Sequence, residues 1–379
     1  MKETACHRIE KALRKRVLSL RHDTKISTEM ELCEEFSVSR MTMNKVIGKL
    51  VQDDLLYRVK KRGTFVKERR KIERPIYFLL PTIDYLTYDS ALSTKGALWG
   101  LNAEASLSNR KVEILPVTRT NQINDYDWET LERISCGDDV FITSFWYKRL
   151  FPFLEEKECD VVCMDNAVWL EDEYRKILSN WYSIKLERKA GTETAIKYLA
   201  DTGRKKPLLL YSYKEKEHPV TEGFKSGLKK AGLPFLEKLF VHVSDIKKTC
   251  SGLKELHKKT LFDSIVISTA DMVKDICGEL DKMKLRIPDD ISVICLEEAP
   301  LLRDMEVPVS SMASPFSEVG REATRMFERD IFLRGETRLQ QFLTERESTR
   351  KGAGSAFDSE YLQEAKVSEA LIRFGTDGI

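Results

Sequence analysis

Residues 28–45 read Thr28-Glu29-Met30-Glu31-Leu32-Cys33-Glu34-Glu35-Phe36-Ser37-Val38-Ser39-Arg40-Met41-Thr42-Met43-Asn44-Lys45. Two helices and the turn between them are written in that order. Thr28 and Glu31 have capping-box spacing: the hydroxyl can accept an exposed backbone N–H of the first turn, and the carboxylate can reach back. Met30, Leu32, Cys33 and Phe36 are then expected to face inward. Ser37-Val38-Ser39 makes a short turn, with Ser39 placed to cap the next helix, which buries Met43, Val46, Ile47, Leu50 and Val51. Its leading face shows Ser39, Arg40, Thr42, Asn44 and Lys45. Polar and basic groups at the start of the second helix are what insertion into a DNA major groove requires.

Working outward, Ile9, Leu13, Val17 and Leu20 recur at helical spacing before this pair, with Lys11, Arg14, Lys15 and Arg16 on the polar side. After it, Leu56-Tyr57-Arg58-Val59 and Thr64-Phe65-Val66 alternate like two strands around Lys60-Lys61-Arg62-Gly63. Gly63 permits the bend and the cations sit at its tip, which makes a basic wing suited to phosphates or a minor groove. Residues 1–71 hold 19 Lys/Arg and 10 Asp/Glu, a net of +9, whereas the other 308 residues sum to −7. Such asymmetry suits a polyanion partner or a merely solvated basic surface.

The whole chain has 379 residues, 42% hydrophobic and 33% charged, which excludes wholesale disorder and leads one to expect more than one domain. No apolar run approaches a membrane span, and the first residues contain no signal-peptide core. Eight cysteines without a CxxC pair fit neither a disulfide scaffold nor a zinc site, so no metal is expected. Cys159 and Cys163, flanking an apolar run, read as buried reduced thiols in a reducing cytosol. No Gly-x-Ser-x-Gly, phosphate loop or histidine ligand spacing appears, so no catalytic residue, cofactor or enzyme activity is expected.

Beyond a charged linker ended by Pro75, apolar runs begin at Ile76, Val112, Val140, Val161, Pro207, Ser264 and Ile291. Helical patterns such as Gly96–Leu107, Gly191–Asp201 and Met272–Met283 separate them. The alternation predicts α/β architecture with parallel sheets in two lobes and a ligand cleft between them, at the carboxyl ends of the strands. From Arg350 a flexible break leads to a tail in which Tyr361, Leu362, Val367, Leu371 and Ile372 suggest a short amphipathic helix, either docked or disordered.

Two resemblances sharpen this outline. The run from Thr28 to Leu32, then Val38-Ser39-Arg40-Met41-Thr42, then Lys61-Arg62-Gly63-Thr64-Phe65-Val66 resembles the GntR family winged helix over residues 5–67. It implies that Arg40, Thr42 and Gly63 with its neighbours touch DNA. Ser27 stands where that family often has proline, and Lys61 where a first wing glycine is common. The segments Gly191–Leu199, Glu222-Gly223-Phe224, Ser268-Thr269-Ala270-Asp271, Ile287-Pro288-Asp289-Asp290-Ile291-Ser292-Val293 and Arg346–Thr349 resemble the effector domain of LacI/GalR regulators, itself similar to periplasmic sugar-binding proteins. The combination is similar to the arabinose-repressor subgroup of GntR proteins.

The expected organisation is a winged helix-turn-helix at 1–68, a linker at 69–74, a two-lobed domain at 75–349 and a tail at 350–379. Lobe 1 is expected at 75–184 and 299–331, and lobe 2 at 185–298 and 332–349. The DNA face comprises Thr28, Ser39, Arg40, Thr42, Asn44, Lys45, Lys61, Arg62 and Gly63. By resemblance, the effector set is Glu187 and Arg188 (where Asp-Asn is common), Asp271, and Glu297 with Glu298 (where paired aspartates are common). Tyr88 and Trp146 are aromatics just past strand ends that can stack on a sugar or pack in the core or a dimer interface, and Asp271 could instead cap the following helix. The expectation is a cytoplasmic homodimer, with no membrane partner, that represses from double-stranded operator DNA under control of a small carbohydrate effector. A sugar-sensing module whose N-terminal segment meets protein rather than DNA is the alternative.

Overall fold

The computed structural model describes residues 5–18, 20, 22–53, 55–67, 74–87, 92–120, 122, 124–165, 170–213, 218–329 and 332–349. The linker at 69–73, Tyr88 and the tail from 350 lie outside the described residues.

Helices α1 (Ala5–Leu18), α2 (Glu29–Phe36) and α3 (Arg40–Gln52) precede the antiparallel ribbon of β1 (Leu56–Val59) and β2 (Gly63–Val66). Their shared core is Ile9, Leu13, Val17, Ile26, Leu32, Met43, Val46, Ile47, Leu50, Leu55, Leu56 and Val66. The capping box forms, with the Thr28 N–H donating to Glu31 at 2.7 Å and the Glu31 N–H to the Thr28 hydroxyl at 3.3 Å. Ser37 turns the chain in the left-handed region, φ 53°, and Ser39 caps α3 by accepting the Thr42 N–H at 3.2 Å. The polar stretch before α2 is no mere break: the Ile26 N–H donates to Thr64 O, and the Val66 N–H to Thr24 O, which lays the segment along β2.

Two expectations fail here. Met30 points outward, 67% exposed, because α2 is short and its single inward turn is filled by Leu32. Arg14 is buried rather than on the polar side. Its guanidinium donates to Glu10 at 2.9 Å, to Asp53 after α3, and to Cys136 Sγ of the next domain at 3.4 Å. A charge buried among partners of opposite sign and hydrogen-bond acceptors is tolerable where a lone one is not.

The remaining described residues form two six-stranded sheets. The first has β3 (Ile76–Leu80), β4 (Val112–Pro116), β5 (Asp139–Ile142), β6 (Asp160–Asp165) and β7 (Tyr182–Leu186), alternating with α4 (Leu92–Leu107), α5 (Trp128–Leu131), α6 (Phe151–Glu156) and α7 (Asp172–Leu178). The chain crosses to the second lobe into α8 (Arg188–Asp201), β8 (Pro207–Tyr211), α9 (Pro219–Lys230), β9 (Phe240–His242), α10 (Ile246–Thr260), β10 (Ser264–Ile267), α11 (Val273–Lys282), β11 (Ser292–Cys295) and β12 (Ser310–Ala313). It returns as α12 (Phe316–Phe327) and β13 (Gly335–Leu339), then crosses again into β14 (Phe342–Thr344). The sheet orders are β13-β7-β6-β5-β3-β4 and β14-β12-β11-β10-β8-β9. All pairings are parallel except β12 with β14.

The strand memberships correct the expected lobe limits. Residues 299–313 belong with the second lobe, since β12 pairs with β11, and 335–339 belong with the first, since β13 pairs with β7. Three crossings, near 187, 314–315 and 340–341, therefore join the lobes. The return path is held by α12 against α4 at glycine-width separation. A Cβ on Gly100 would run into the Ser317 carbonyl, and one on Gly320 into that of Ala97.

Candidate functional site

The head gathers polar groups from three elements onto one face. Arg40 is 79% exposed at the first residue of α3, with its Nε 3.7 Å from Glu29. Ser39 and Thr42 join hydroxyls at 2.9 Å, and Asn44 and Lys45 are exposed on the next turn. Arg58 on β1 donates to Asn44 Oδ1 at 2.8 Å and to Glu29 at 3.3 Å. Sequence reading left Arg58 and Glu29 out of the site, although Arg58 stands on the exposed face of an alternating strand. Thr28 holds α2 through its cap. At the wing tip Lys60, Lys61 and Arg62 are all exposed. Lys61 adopts φ 65° and Gly63 φ 124°, so Lys61 itself takes the left-handed position where the resembling family prefers glycine. This surface can present guanidinium, hydroxyl and amide groups to base edges and ammonium groups to phosphates.

Between the lobes lies a cavity of about 620 Å³. Leu92, Ser93 and Phe316 approach from the first lobe, Arg188, Thr269, Ala270, Asp271, Glu297 and Ala299–Leu301 from the second, and Ser314 and Gln341 from two crossings. Arg188 stands at the start of α8 immediately after a crossing, with its guanidinium 3.9 Å from Glu297. Glu297 follows β11 and accepts the Ala270 N–H at 3.3 Å. Its carboxyl is pushed above the usual range, because burial outweighs the opposing pull of Arg188 and the Ala270 N–H. Burial likewise pushes the nearby Tyr213 hydroxyl up to about 12. Arg188 Nε and Thr269 Oγ1 are buried without a hydrogen-bond partner among the described residues. Buried polar atoms left unpaired are costly, so two of them on a cavity wall are groups that a polar ligand would satisfy.

Of the expected effector residues, Arg188, Asp271 and Glu297 converge on this cavity, and Asp271 is exposed there without capping the following helix. Glu298 reaches the wall but is committed to the protein. Its carboxylate is 2% exposed and accepts from Arg346 at 2.8 and 2.9 Å, from Arg303 at 3.3 Å, and from Ser311. Glu187 turns instead to Arg338 at 2.8 Å, an ion pair across the crossing, and does not line the cavity. The backbone of Trp146 lies in the 3-10 turn Phe145–Leu150, its side chain outside the described residues. Among the described residues Phe316 is the aromatic that lines the cavity, and neither it nor Gln341 was foreseen, because both arrive by late crossings that local pattern cannot show.

Among the described residues no cluster of three metal-ligating side chains occurs, and no helix is long and apolar enough to cross a membrane.

Comparison with known proteins matches two separate parts of the chain. Residues 5–66 match the bacterial regulatory proteins of the gntR family, and residues 196–349 match the periplasmic binding protein-like domain. The chain is 23% identical over 321 residues to the arabinose metabolism transcriptional repressor of Halalkalibacterium halodurans, covering 80% of this chain and 82% of that one. Over 49 residues, 13% of this chain and 20% of the relative, it is 45% identical to the HTH-type transcriptional repressor NagR of Bacillus subtilis. Among solved structures it is similar to a LacI family transcriptional regulator from Enterococcus faecium with bound ribose (TM-score 0.54, 16% identity, 74% of this chain and all of that one). It is also similar to a transcriptional regulator CelR–cellobiose complex (TM-score 0.52, 15% identity, 82% and 91%).

Proposed function

The chain joins a gntR-type regulatory domain to a periplasmic binding protein-like domain, and we propose that it is a transcriptional repressor whose operator affinity is set by a small ligand in the cleft. The observation that carries the reading is the exposed Arg40 on the leading turn of α3, beside a basic wing, in a segment of net charge +9. The ligand is a carbohydrate, a polyol held between the Arg188 donor and the Asp271 and Glu297 acceptors, with Phe316 as its apolar platform. The ribose- and cellobiose-bound neighbours support that class. The protein acts in the cytoplasm as a homodimer, because one short reading helix supplies too little contact and two half-sites multiply it. Ligand alters DNA affinity by favouring one arrangement of the lobes, and only through its unequal affinity for the two arrangements.

DNA fragments flanking the gene test this directly. Binding should fall steeply with salt as phosphate counterions are released, and protection should span two half-sites. Salt-independent binding, or none, would instead point to a protein partner for the head. Arg40→Ala should weaken operator binding by about 1–3 kcal/mol if Arg40 reads a base, measured by titration against the selected site. Unchanged affinity would remove it from the interface.

Pentoses, hexoses and uronic acids should be screened by thermal shift, since a ligand that binds the native state raises its melting temperature. Arg188→Met should abolish the shift of any sugar that scores. A shift that survives this substitution would place the ligand elsewhere.

A further inference from the structure

We propose that Glu29 is a positioning residue for base reading: it orients Arg40 and Arg58 on the reading face and, as a negative charge within a basic surface, suppresses binding to DNA of arbitrary sequence. The inference rests on the DNA-binding function proposed above.

Glu29 opens α2, three-quarters buried, and one carboxylate reaches two other elements. Its Oε2 lies 3.7 Å from Arg40 Nε on α3, and its Oε1 lies 3.3 Å from Arg58 Nη2 on β1. The same Arg58 nitrogen donates to Asn44 Oδ1 on α3 at 2.8 Å. Helix start, reading helix and wing strand are thereby tied at their exposed ends. Arg40 approaches Glu29 through Nε, and among the described residues its two terminal nitrogens have no ion-pair partner, which leaves them to fork onto the O6 and N7 of a guanine. Long side chains that are 79% and 43% exposed would otherwise sample many rotamers. Tethering them beforehand reduces the entropy lost when DNA arrives.

The position of the charge is the second half of the argument. A carboxylate on a surface meant for phosphates weakens every sequence-independent contact. It is retained at a gain only if specific binding benefits more than non-specific binding suffers. An acidic residue in a first helical turn also favours the helix dipole, and that role alone would alter stability without altering the choice of sequence.

The test uses the full chain, a duplex enriched from random sequence by the unaltered protein, and a scrambled duplex of equal length and composition. For Glu29→Gln the affinity for the scrambled duplex should rise and that for the enriched one fall, so that their ratio drops roughly tenfold. Renewed selection should show relaxed preference at one base pair, with Glu29→Asp recovering part of the ratio. An unchanged ratio, including a parallel rise of both affinities, overturns the proposal. If Glu29→Gln no longer melts cooperatively, Arg58→Met cuts the tether from the wing, and an unchanged ratio there has the same meaning. Absence of any preference in the unaltered protein would defeat the DNA-binding reading itself, before a variant is compared.

Discussion

Arg346→Ala should destabilise the second lobe by about 3–5 kcal/mol, the cost of stranding one partner of a buried ion pair. Arg346 and Glu298 are 3% and 2% exposed and make a two-pronged contact at 2.8 and 2.9 Å. Arg346 also donates to the Val309 carbonyl at 2.7 Å and the Ser311 hydroxyl at 3.2 Å, which ties the segment after β14 to the start of β12. Without it, the Glu298 carboxylate would keep only Arg303 at 3.3 Å and the Ser311 hydroxyl, inside a low-dielectric wall. The location of the damage is readable. All five tryptophans (99, 128, 146, 169 and 181) fall in the first lobe's part of the chain, so tryptophan fluorescence follows that lobe while circular dichroism follows both. In urea the dichroism transition should move earlier and part from the fluorescence one. The double variant Glu298→Gln, Arg346→Met should lose less than the sum of its single changes, because neither member of the Glu298–Arg346 pair is then left charged without the other, although Arg303 loses its carboxylate partner at 3.3 Å. A loss below about 1 kcal/mol for Arg346→Ala would mean that the pair is hydrated and worth no more than a surface contact.

The second large effect is steric. Gly320→Ala should cost about 2–3 kcal/mol or more, since the added methyl would drive into the backbone of Ala97 and Leu101 and neither can withdraw without parting α12 from α4. The Thr324 hydroxyl, which donates to the Leu101 carbonyl of α4 and to the Gly320 carbonyl of its own helix, both at 3.2 Å, would lose the contact between helices as they separate. Trp99 on α4 carries the Arg321 guanidinium of α12 at 4.9 Å from its ring centre, so its emission should change in the folded state as well. Gly278→Ala is the control. That glycine lies within α11 with open space where a Cβ would go, and the change should stabilise by about 0.5–1 kcal/mol through helix propensity alone. Equal effects at both positions would show that the close packing of α4 and α12 carries no energetic weight.

The caps of α2 and α3, the inward stripes of α1 and α3, the wing turn and seven of the twelve strands of the two sheets were legible in the chain, β7 and β12 among those that were not. Each depends on residues within about four positions of one another: Thr28 on Glu31, Ser39 on Thr42, Ile9 on Leu13. The alternation of buried strands with helices likewise sufficed for parallel α/β lobes, because strands apolar on both faces must be covered on both. Arg188, Asp271 and Glu297 could be singled out only through the resemblance to the LacI/GalR effector domain, and the structure places each beside a strand or helix end on the cavity wall.

What only the tertiary structure decided is where distant polar groups find their partners. Arg14 reads as a solvent-facing cation from helical phase, yet Asp53 and Cys136 bury it. Glu298 reads as a ligand carboxylate until Arg346, 48 residues later, claims it. The assignment of β12 and β13 to opposite sheets has the same origin, since a strand's pattern records that it is buried but not beside which neighbour. Local periodicity is enforced by the backbone hydrogen bonds of each element and so is written in order along the chain. Charge pairing and strand neighbours are set by which ends the crossings bring together, and a sequence read in order does not contain those distances.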